Sequence, residues 1–229
     1  MNALNPASQS NIDSCYNRDV KMRYAVESTA PVVLSDIYDQ QTNIVIWRRE
    51  LSDTLKNSVM AFVASNPNFL TTMTVMPQSS LSSISRALGG VKQQELSENI
   101  AELVDMFCCL FELKRAGLRL AAIDRAMCPK FHTDKIPCRL VTTFQGIATE
   151  WLPHQAVKRE KLGVGSKGQP DNQSGLYRQE HDIQQLKCGD VGLLKGELWE
   201  GNENAGLVHR SPALLEGQRR LLLTLDFRE

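Results

Sequence analysis

The sequence lacks the features that mark membrane, secreted and nucleic-acid-binding proteins. No apolar run approaches the roughly 18 residues of a membrane span. The first ten residues have neither a basic start nor an apolar stretch, so we expect no secretory signal. The 26 basic and 26 acidic residues give a formal net charge of zero, which argues against a dominant attraction to nucleic acid or a membrane surface. We therefore expect neither as a partner.

The chain has six cysteines, but they do not form a disulfide framework. Cys108 and Cys109 are adjacent within an apolar helical pattern, a poor spacing for paired disulfides. Such usage favours a reducing compartment, so we expect a cytoplasmic protein. The chain is 229 residues long and 42% hydrophobic, enough for a sizeable core. We predict one domain over residues 31–229, preceded by a polar, loosely ordered segment over residues 1–30.

The predicted domain has two parts of different texture. In residues 31–117 the pattern predicts mainly helices that support the later strands. The clearest of these helices is predicted to start near Ser97, to have Lys114 and Arg115 in its last turn and to end with Gly117 as its C-cap. Residues 118–229 predict short strands, which include residues 118–123, 138–145, 191–195 and 219–227. The pattern is typical of an α+β protein.

Between these strands, residues 160–175 contain five Gly or Pro residues. Few of their side chains can pack, so the composition predicts a mobile loop or a hairpin insertion. We also expect this segment to form a flexible lid beside the site described next, because loops of this kind often gate active sites.

The residues that carry chemistry are an H-x-D triplet and one distant histidine. His132 and Asp134 lie two residues apart and His209 follows much later in the chain. On a strand, His132 and Asp134 would point the same way, and a barrel or double-sheet fold can bring His209 to them. Two His and one carboxylate on one face of a metal leave the other face open, as in non-haem Fe(II) oxygenases.

The last predicted strand alternates sharply between its two faces. Arg220, Leu222, Thr224 and Asp226 share one face, while Leu221, Leu223 and Leu225 share the other and are expected to pack under the helices. Arg220 thus heads a mostly polar inner face. A buried unpaired guanidinium is costly, so we expect this arginine to have an anionic partner.

These motifs together resemble the superfamily of 2-oxoglutarate- and Fe(II)-dependent dioxygenases, which are built on the double-stranded β-helix. The resemblance covers about residues 118–228. The matching segments are residues 131–134 (Phe-His-Thr-Asp), 189–194 (Gly-Asp-Val-Gly-Leu-Leu), 209–212 (His-Arg-Ser-Pro) and 220–225 (Arg-Leu-Leu-Leu-Thr-Leu). More narrowly, the whole chain resembles a bacterial family with no assigned substrate.

The resemblance implies a double-stranded β-helix, or cupin-like jelly roll, with N-terminal helices packed on its sheet. It implies that Fe(II) is bound by His132, Asp134 and His209. It implies that the distal carboxylate of the cosubstrate 2-oxoglutarate is bound by Arg220, with Arg219 as the fallback. The implied activity is hydroxylation of an unidentified small-molecule or protein substrate.

Several alternatives remain open from the residues alone. Arg139 and Trp151 are candidate substrate-pocket residues, although Trp151 also suits a core anchor. Cys128 and Cys138 flank the H-x-D triplet and have ligand chemistry that suits Zn(II), but their spacing matches no common zinc module. A second hypothesis is a non-enzymatic cupin-like protein, in metal homeostasis, that holds Zn(II) or another divalent ion on the same three ligands. A buried arginine opposite the metal would favour the oxygenase.

Overall fold

The computed structural model of the protein describes residues 22–228. The segment predicted to be loosely ordered, residues 1–30, therefore falls largely outside the described residues. Its described end does not fit that prediction, because Tyr24–Ser28 forms a strand that pairs with Thr42–Trp47.

Ten strands and four α-helices make up the described chain, joined by short 3₁₀ turns. The strands are β1 (Tyr24–Ser28), β2 (Thr42–Trp47), β3 (Leu70–Val75), β4 (Ala116–Ile123), β5 (Cys138–Gln145), β6 (Glu150–Leu152), β7 (Gln184–Gln185), β8 (Val191–Lys195), β9 (Val208–Arg210) and β10 (Arg220–Phe227). The helices are α1 (Asp53–Ser65), α2 (Pro77–Leu88), α3 (Gln94–Leu110) and α4 (Asp171–Ser174).

The strands form two sheets. The large sheet has seven strands in the order β1-β2-β8-β5-β10-β4-β3, antiparallel except for the parallel pair β1–β2. The small sheet has three strands in the order β7-β6-β9. The protein is therefore a mixed α+β structure with a large, mainly antiparallel sheet. The N-terminal part also contributes strands β1 to β3 to that sheet, beyond the helical support predicted for it.

The large sheet separates two apolar cores. The helix-side core joins α1, α2 and α3 to one face of the sheet, and it contains Leu221, Leu223 and Leu225 as predicted. The inter-sheet core lies on the opposite face and includes Leu222 from β10 and Trp151 from β6. The period-2 alternation of β10 thus separates residues that stabilise the fold from residues that face the small sheet.

The end of α3 differs from the prediction. The helix ends at Leu110, and Gly117, predicted as its C-cap, lies in strand β4. Glu112 instead adopts the left-handed conformation with φ of 53°, and the N–H of Leu113 donates to the carbonyl of Cys108 at 2.8 Å. Glu112 thus occupies the left-handed C-terminal position that glycine usually occupies at a helix end. The prediction of a C-cap at Gly117 was therefore wrong.

Within residues 22–228, none of the helices is both long and apolar enough to cross a membrane.

The helix-side core predicts a clear stability difference between two leucines. Leu223 is fully buried at the centre of the large sheet, so Leu223→Ala should lower the free energy of unfolding by about 2–5 kcal/mol. Leu81 on α2 is 45% exposed, so the matched change Leu81→Ala should stay within about 0.5 kcal/mol of the wild type. Urea unfolding followed by circular dichroism measures both. Equal losses for the two variants would contradict this packing.

Candidate metal centre

A backbone bridge brings the two histidines together. The N–H of His132 donates to the carbonyl of His209, and the N–H of His209 donates to the carbonyl of His132, both at 3.0 Å. Residues paired this way across an antiparallel bridge project their side chains to the same face. The two imidazole centroids are accordingly 4.6 Å apart.

Asp134 completes a three-residue cluster. Its Oδ1 lies 3.7 Å from Nε2 of His132, and its Oδ2 lies 3.5 Å from Nε2 of His209. Two ligands that each lie about 2.1 Å from one ion are separated by distances of this size, so the donor set fits a metal. All three ligand atoms lie within 4.8 Å of one another, and residues 22–228 contain no other such His/Cys/Asp/Glu group.

The backbone also fixes which nitrogen of each ring faces the cluster. Nδ1 of His132 lies 3.0 Å from the carbonyl of Lys130, and Nδ1 of His209 lies 3.2 Å from the carbonyl of Leu207. A carbonyl can only accept, so Nδ1 of each ring is the donor in this contact, and the neutral form of the ring presents its Nε2 lone pair to the cluster. Burial lowers the pKa of His209 to about 4, which keeps this ring neutral near pH 7.

A small cavity opens beside the cluster, with a volume of about 140 Å³. Both histidines line it, and Val141, Leu194 and Leu222 form an apolar wall. Such a volume is below the roughly 300–1,000 Å³ of pockets that hold drug-sized ligands, so the cavity suits a small molecule.

Arg220 lies behind this cavity and is 1% exposed. Its Nε and Nη2 each lie 3.3 Å from the hydroxyl of Thr143, and Nη2 donates to the hydroxyl of Thr149 at 2.7 Å. Thr149 itself lines the cavity. None of the ion pairs in the described part of the chain involves Arg220, so the anionic partner expected for it is not a described protein side chain. Burial lowers the pKa of Arg220 to about 10, with partial compensation by Glu150, so the guanidinium stays charged near pH 7.

The neighbouring Arg219 is directed elsewhere. Its Nη1 donates to the carbonyl of Pro67 at 2.7 Å and lies 3.8 Å from the carboxylate of Asp124. Neither arginine is among the residues that line the cavity beside the histidines, but Arg220 donates to the hydroxyl of Thr149, which does line it. Of the two adjacent arginines, the one buried behind the cavity is therefore Arg220.

The two candidate substrate-pocket residues have different positions. Arg139 lines the cavity, but its guanidinium is bound to Asp134 and Asp226. Trp151 is buried in the inter-sheet core, as the core-anchor alternative expects, and is not among the residues that line the cavity. A substrate contact for it stays a prediction. Trp151 pairs directly with His209 across β6 and β9, so the two side chains lie on the same face of the small sheet.

The cysteines do not join the cluster. Cys138 is fully buried in the helix-side core, on the face of β5 away from the histidines. Burial raises the pKa of its thiol strongly, which disfavours the thiolate that a zinc ligand must be. Cys128 lines the cavity but belongs to no metal-binding group among the described residues. The Cys/His zinc site considered from the sequence is therefore wrong.

Residues 160–175 lie beside the cluster, as expected, but they form no hairpin. They fold into a 3₁₀ turn at Gly163–Ser166 and the short helix α4. Leu162, Gly163 and Val164 line a second cavity that shares His132. The carboxylate of Asp171 accepts from the N–H of Phe131 at 2.9 Å, which connects α4 to the residue before His132. A lid role for this segment stays a prediction.

Sequence reasoning missed three residues of this site: Thr143, Thr149 and Asp226. Their roles depend on which strands are neighbours. Thr143 and Asp226 lie on adjacent strands β5 and β10, and Thr149 immediately precedes β6 of the small sheet. The alternation of β10 placed Asp226 on the inner face, but no local signal identified its partner.

The fold and the cluster define a mixed α+β protein with a candidate His-Asp-His metal centre beside a small cavity. Residues 28–226 match the family described as "Protein of unknown function (DUF1826)", and the chain belongs to that family. A comparison with curated proteins found no match.

Solved structures of low similarity include several oxygenases. The complex of dioxygenase for auxin oxidation 1 from Arabidopsis thaliana with 2-oxoglutarate has a TM-score of 0.48 and 9% identity, over 90% of this chain and 92% of that chain. A prolyl-4-hydroxylase from Pseudomonas putida has a TM-score of 0.42 and 11% identity, over 86% and 97%. HygX from Streptomyces hygroscopicus, with iron bound, has a TM-score of 0.46 and 12% identity, over 86% and 85%. Likenesses at this level assign no activity to this chain.

The cluster predicts that metal binding depends on His132 and Asp134. His132→Ala and Asp134→Ala should each abolish stoichiometric binding of a divalent ion, because each removes one of three ligands. His181→Ala is the matched control, since this histidine has a side chain that is 76% exposed and lies outside the cluster. Metal analysis of purified variants, with circular dichroism to verify folding, measures the effect. Full metal content in a folded Asp134→Ala variant would refute this ligand set.

Proposed function

We propose that the protein is an Fe(II)- and 2-oxoglutarate-dependent oxygenase that hydroxylates an unidentified substrate. The observation that carries this proposal is a His-Asp-His cluster whose two histidines line a small cavity, together with a buried Arg220 that donates to the cavity-lining Thr149 and forms no ion pair with a described residue. A site that only stores a metal has no need of a buried cation near it. A site that binds a dicarboxylate cosubstrate has such a need, because the cation compensates the distal carboxylate.

We also propose that the two sheets form a double-stranded β-helix. Along the chain, the large-sheet strands β4, β5, β8 and β10 alternate with small-sheet segments. These segments are the His132 bridge after β4, then β6 and β7 after β5, and β9 after β8. Eight segments in two sheets with this order are consistent with a double-sheet jelly roll, an architecture that has two Greek keys.

In the proposed centre, His132, Asp134 and His209 would hold Fe(II) through two imidazole nitrogens and a carboxylate oxygen. The family resemblance implies that bound Fe(II) with 2-oxoglutarate and O2 supplies the oxidising chemistry, and that 2-oxoglutarate is converted to succinate and CO2. The protein contributes preorganised ligands: backbone carbonyls hold Nδ1 of both histidines, so Nε2 of each ring already faces the cluster before metal binds.

Arg220 would bind the distal carboxylate of 2-oxoglutarate. The hydroxyls of Thr143 and Thr149 hold the plane of its guanidinium, so the donors are oriented before the anion arrives. Val141, Leu194 and Leu222 give the cavity an apolar wall, which lowers the local dielectric. A charge-assisted pair is stronger in such surroundings than in water, which helps a small dicarboxylate to bind.

The proposal predicts that Arg220→Met weakens 2-oxoglutarate binding to the metal-loaded protein. Loss of a hydrogen bond to a charged group costs about 1.5–3 kcal/mol, which corresponds to about ten- to a hundred-fold in affinity. Isothermal calorimetry with Mn(II) in place of Fe(II) measures the dissociation constant without turnover. Arg219→Met is the matched control and should bind as the wild type does, since its guanidinium contacts the Pro67 carbonyl.

Other outcomes of this calorimetry point away from the proposal. Equal 2-oxoglutarate binding by wild type and Arg220→Met would remove the role of Arg220. A metal-loaded wild type that binds no 2-oxoglutarate would favour the non-enzymatic metal-binding protein, with Zn(II) or another divalent ion on the same ligands. Metal content should stay unchanged in both arginine variants, so loss of the metal is distinguishable from loss of the cosubstrate.

A further inference from the structure

We infer that Arg139 is a positioning residue that orients Asp134 as a metal ligand, and that Asp226 holds Arg139 in this role. The inference rests on the proposed metal centre. The sequence suggested Arg139 as a candidate substrate contact, whereas this inference assigns it a role at the metal ligand. The inference also assigns a role to Asp226, which no sequence motif identified.

The contacts form a chain from Asp226 through Arg139 to Asp134. Nε of Arg139 donates to Oδ1 of Asp226 at 2.7 Å, and Nη2 donates to Oδ2 at 3.0 Å. The remaining nitrogen, Nη1, donates to Oδ2 of Asp134 at 2.8 Å. One edge of the guanidinium is therefore clamped by a two-point contact, and the other end is aimed at a single oxygen of the cluster carboxylate.

The large sheet sets this geometry. Asp226 on β10 lies directly opposite Arg139 on β5 in an antiparallel pair, so their side chains share a face. A short turn then connects Asp134 to the start of β5. The position of the guanidinium is therefore determined by two central strands, whereas Asp134 lies outside any regular strand.

Asp134 needs such a partner because a carboxylate outside regular structure can rotate. Donation from Arg139 occupies Oδ2, the oxygen that lies 3.5 Å from Nε2 of His209. We therefore assign Oδ1, 3.7 Å from Nε2 of His132, to the metal. The same cation also repels a divalent ion, so orientation and repulsion oppose each other. Asp226 reduces the repulsion, because its negative charge offsets the positive charge of Arg139. The main remaining effect of Arg139 is then to orient the Asp134 carboxylate.

The test is titration with Co(II), whose visible absorption reports coordination geometry, on the full chain and its variants. Arg139→Met removes both the charge and the fork, Arg139→Lys keeps the charge but loses the fork, and Asp226→Asn releases the clamp. We expect all three to bind Co(II) about ten- to a hundred-fold more weakly, the usual cost of losing a partner of a metal ligand. We also expect a changed Co(II) spectrum in the two Arg139 variants.

Arg48→Met is the matched control. Arg48 also bridges two carboxylates, Glu27 and Asp190, but it does so at the end of β8 away from the cluster. This variant should bind Co(II) with wild-type affinity and spectrum. Thermal unfolding without metal compares the cost of losing each bridge. If Arg139→Met does not fold, Arg139→Lys and Asp226→Asn provide the answer.

Two results would overturn the inference while the proposed metal centre stands. One is wild-type affinity and spectrum in folded Arg139→Met and Arg139→Lys proteins. The other is tighter Co(II) binding by Arg139→Met, which would mean that repulsion outweighs orientation. A wild-type protein that binds no Co(II) would overturn both the inference and the metal centre.

Discussion

Two backbone hydrogen bonds between His132 and His209 are the interaction on which the candidate site depends. They join a segment that follows β4 to a strand that lies far along the chain. Because main-chain atoms make this contact, it places both imidazoles on one face without any contact between the side chains themselves. The small sheet extends the constraint, since Trp151 of β6 pairs with His209 and anchors it in the inter-sheet core.

The cavity is unusual in its electrostatics rather than in its size. Burial of Arg220 costs free energy that the hydroxyl contacts and the more distant Glu150 only partly offset, and no described carboxylate forms an ion pair with it. Arg139, by contrast, is paired with two carboxylates. One arginine thus has two carboxylate partners within the protein, whereas the other has only hydroxyl partners among the described side chains. This contrast separates a residue that supports the site from one that we propose to bind a ligand.

The sequence predicted what local periodicity determines. The alternation of β10 correctly separated Leu221, Leu223 and Leu225 from the inner face, and the spacing of the H-x-D triplet and His209 identified the three residues that converge. The side-chain contacts that depend on the register between paired strands were not predictable.

The contacts of Arg139 follow from the register of β5 on β10, and the position of Trp151 follows from its pairing with β9. The predicted end of α3 was wrong because Glu112 adopts the left-handed conformation, which sequence patterns associate with glycine. Likewise, only the tertiary structure distinguishes Arg220 from the adjacent Arg219, whose side chain reaches Pro67.

The central claim is that one cavity holds both a metal and a dicarboxylate, and native mass spectrometry of anaerobically purified protein tests it most directly. The account predicts one divalent ion per chain, and one 2-oxoglutarate that adds only to the metal-bound species. Retention of 2-oxoglutarate by metal-free protein, or no retention at any metal content, would contradict it.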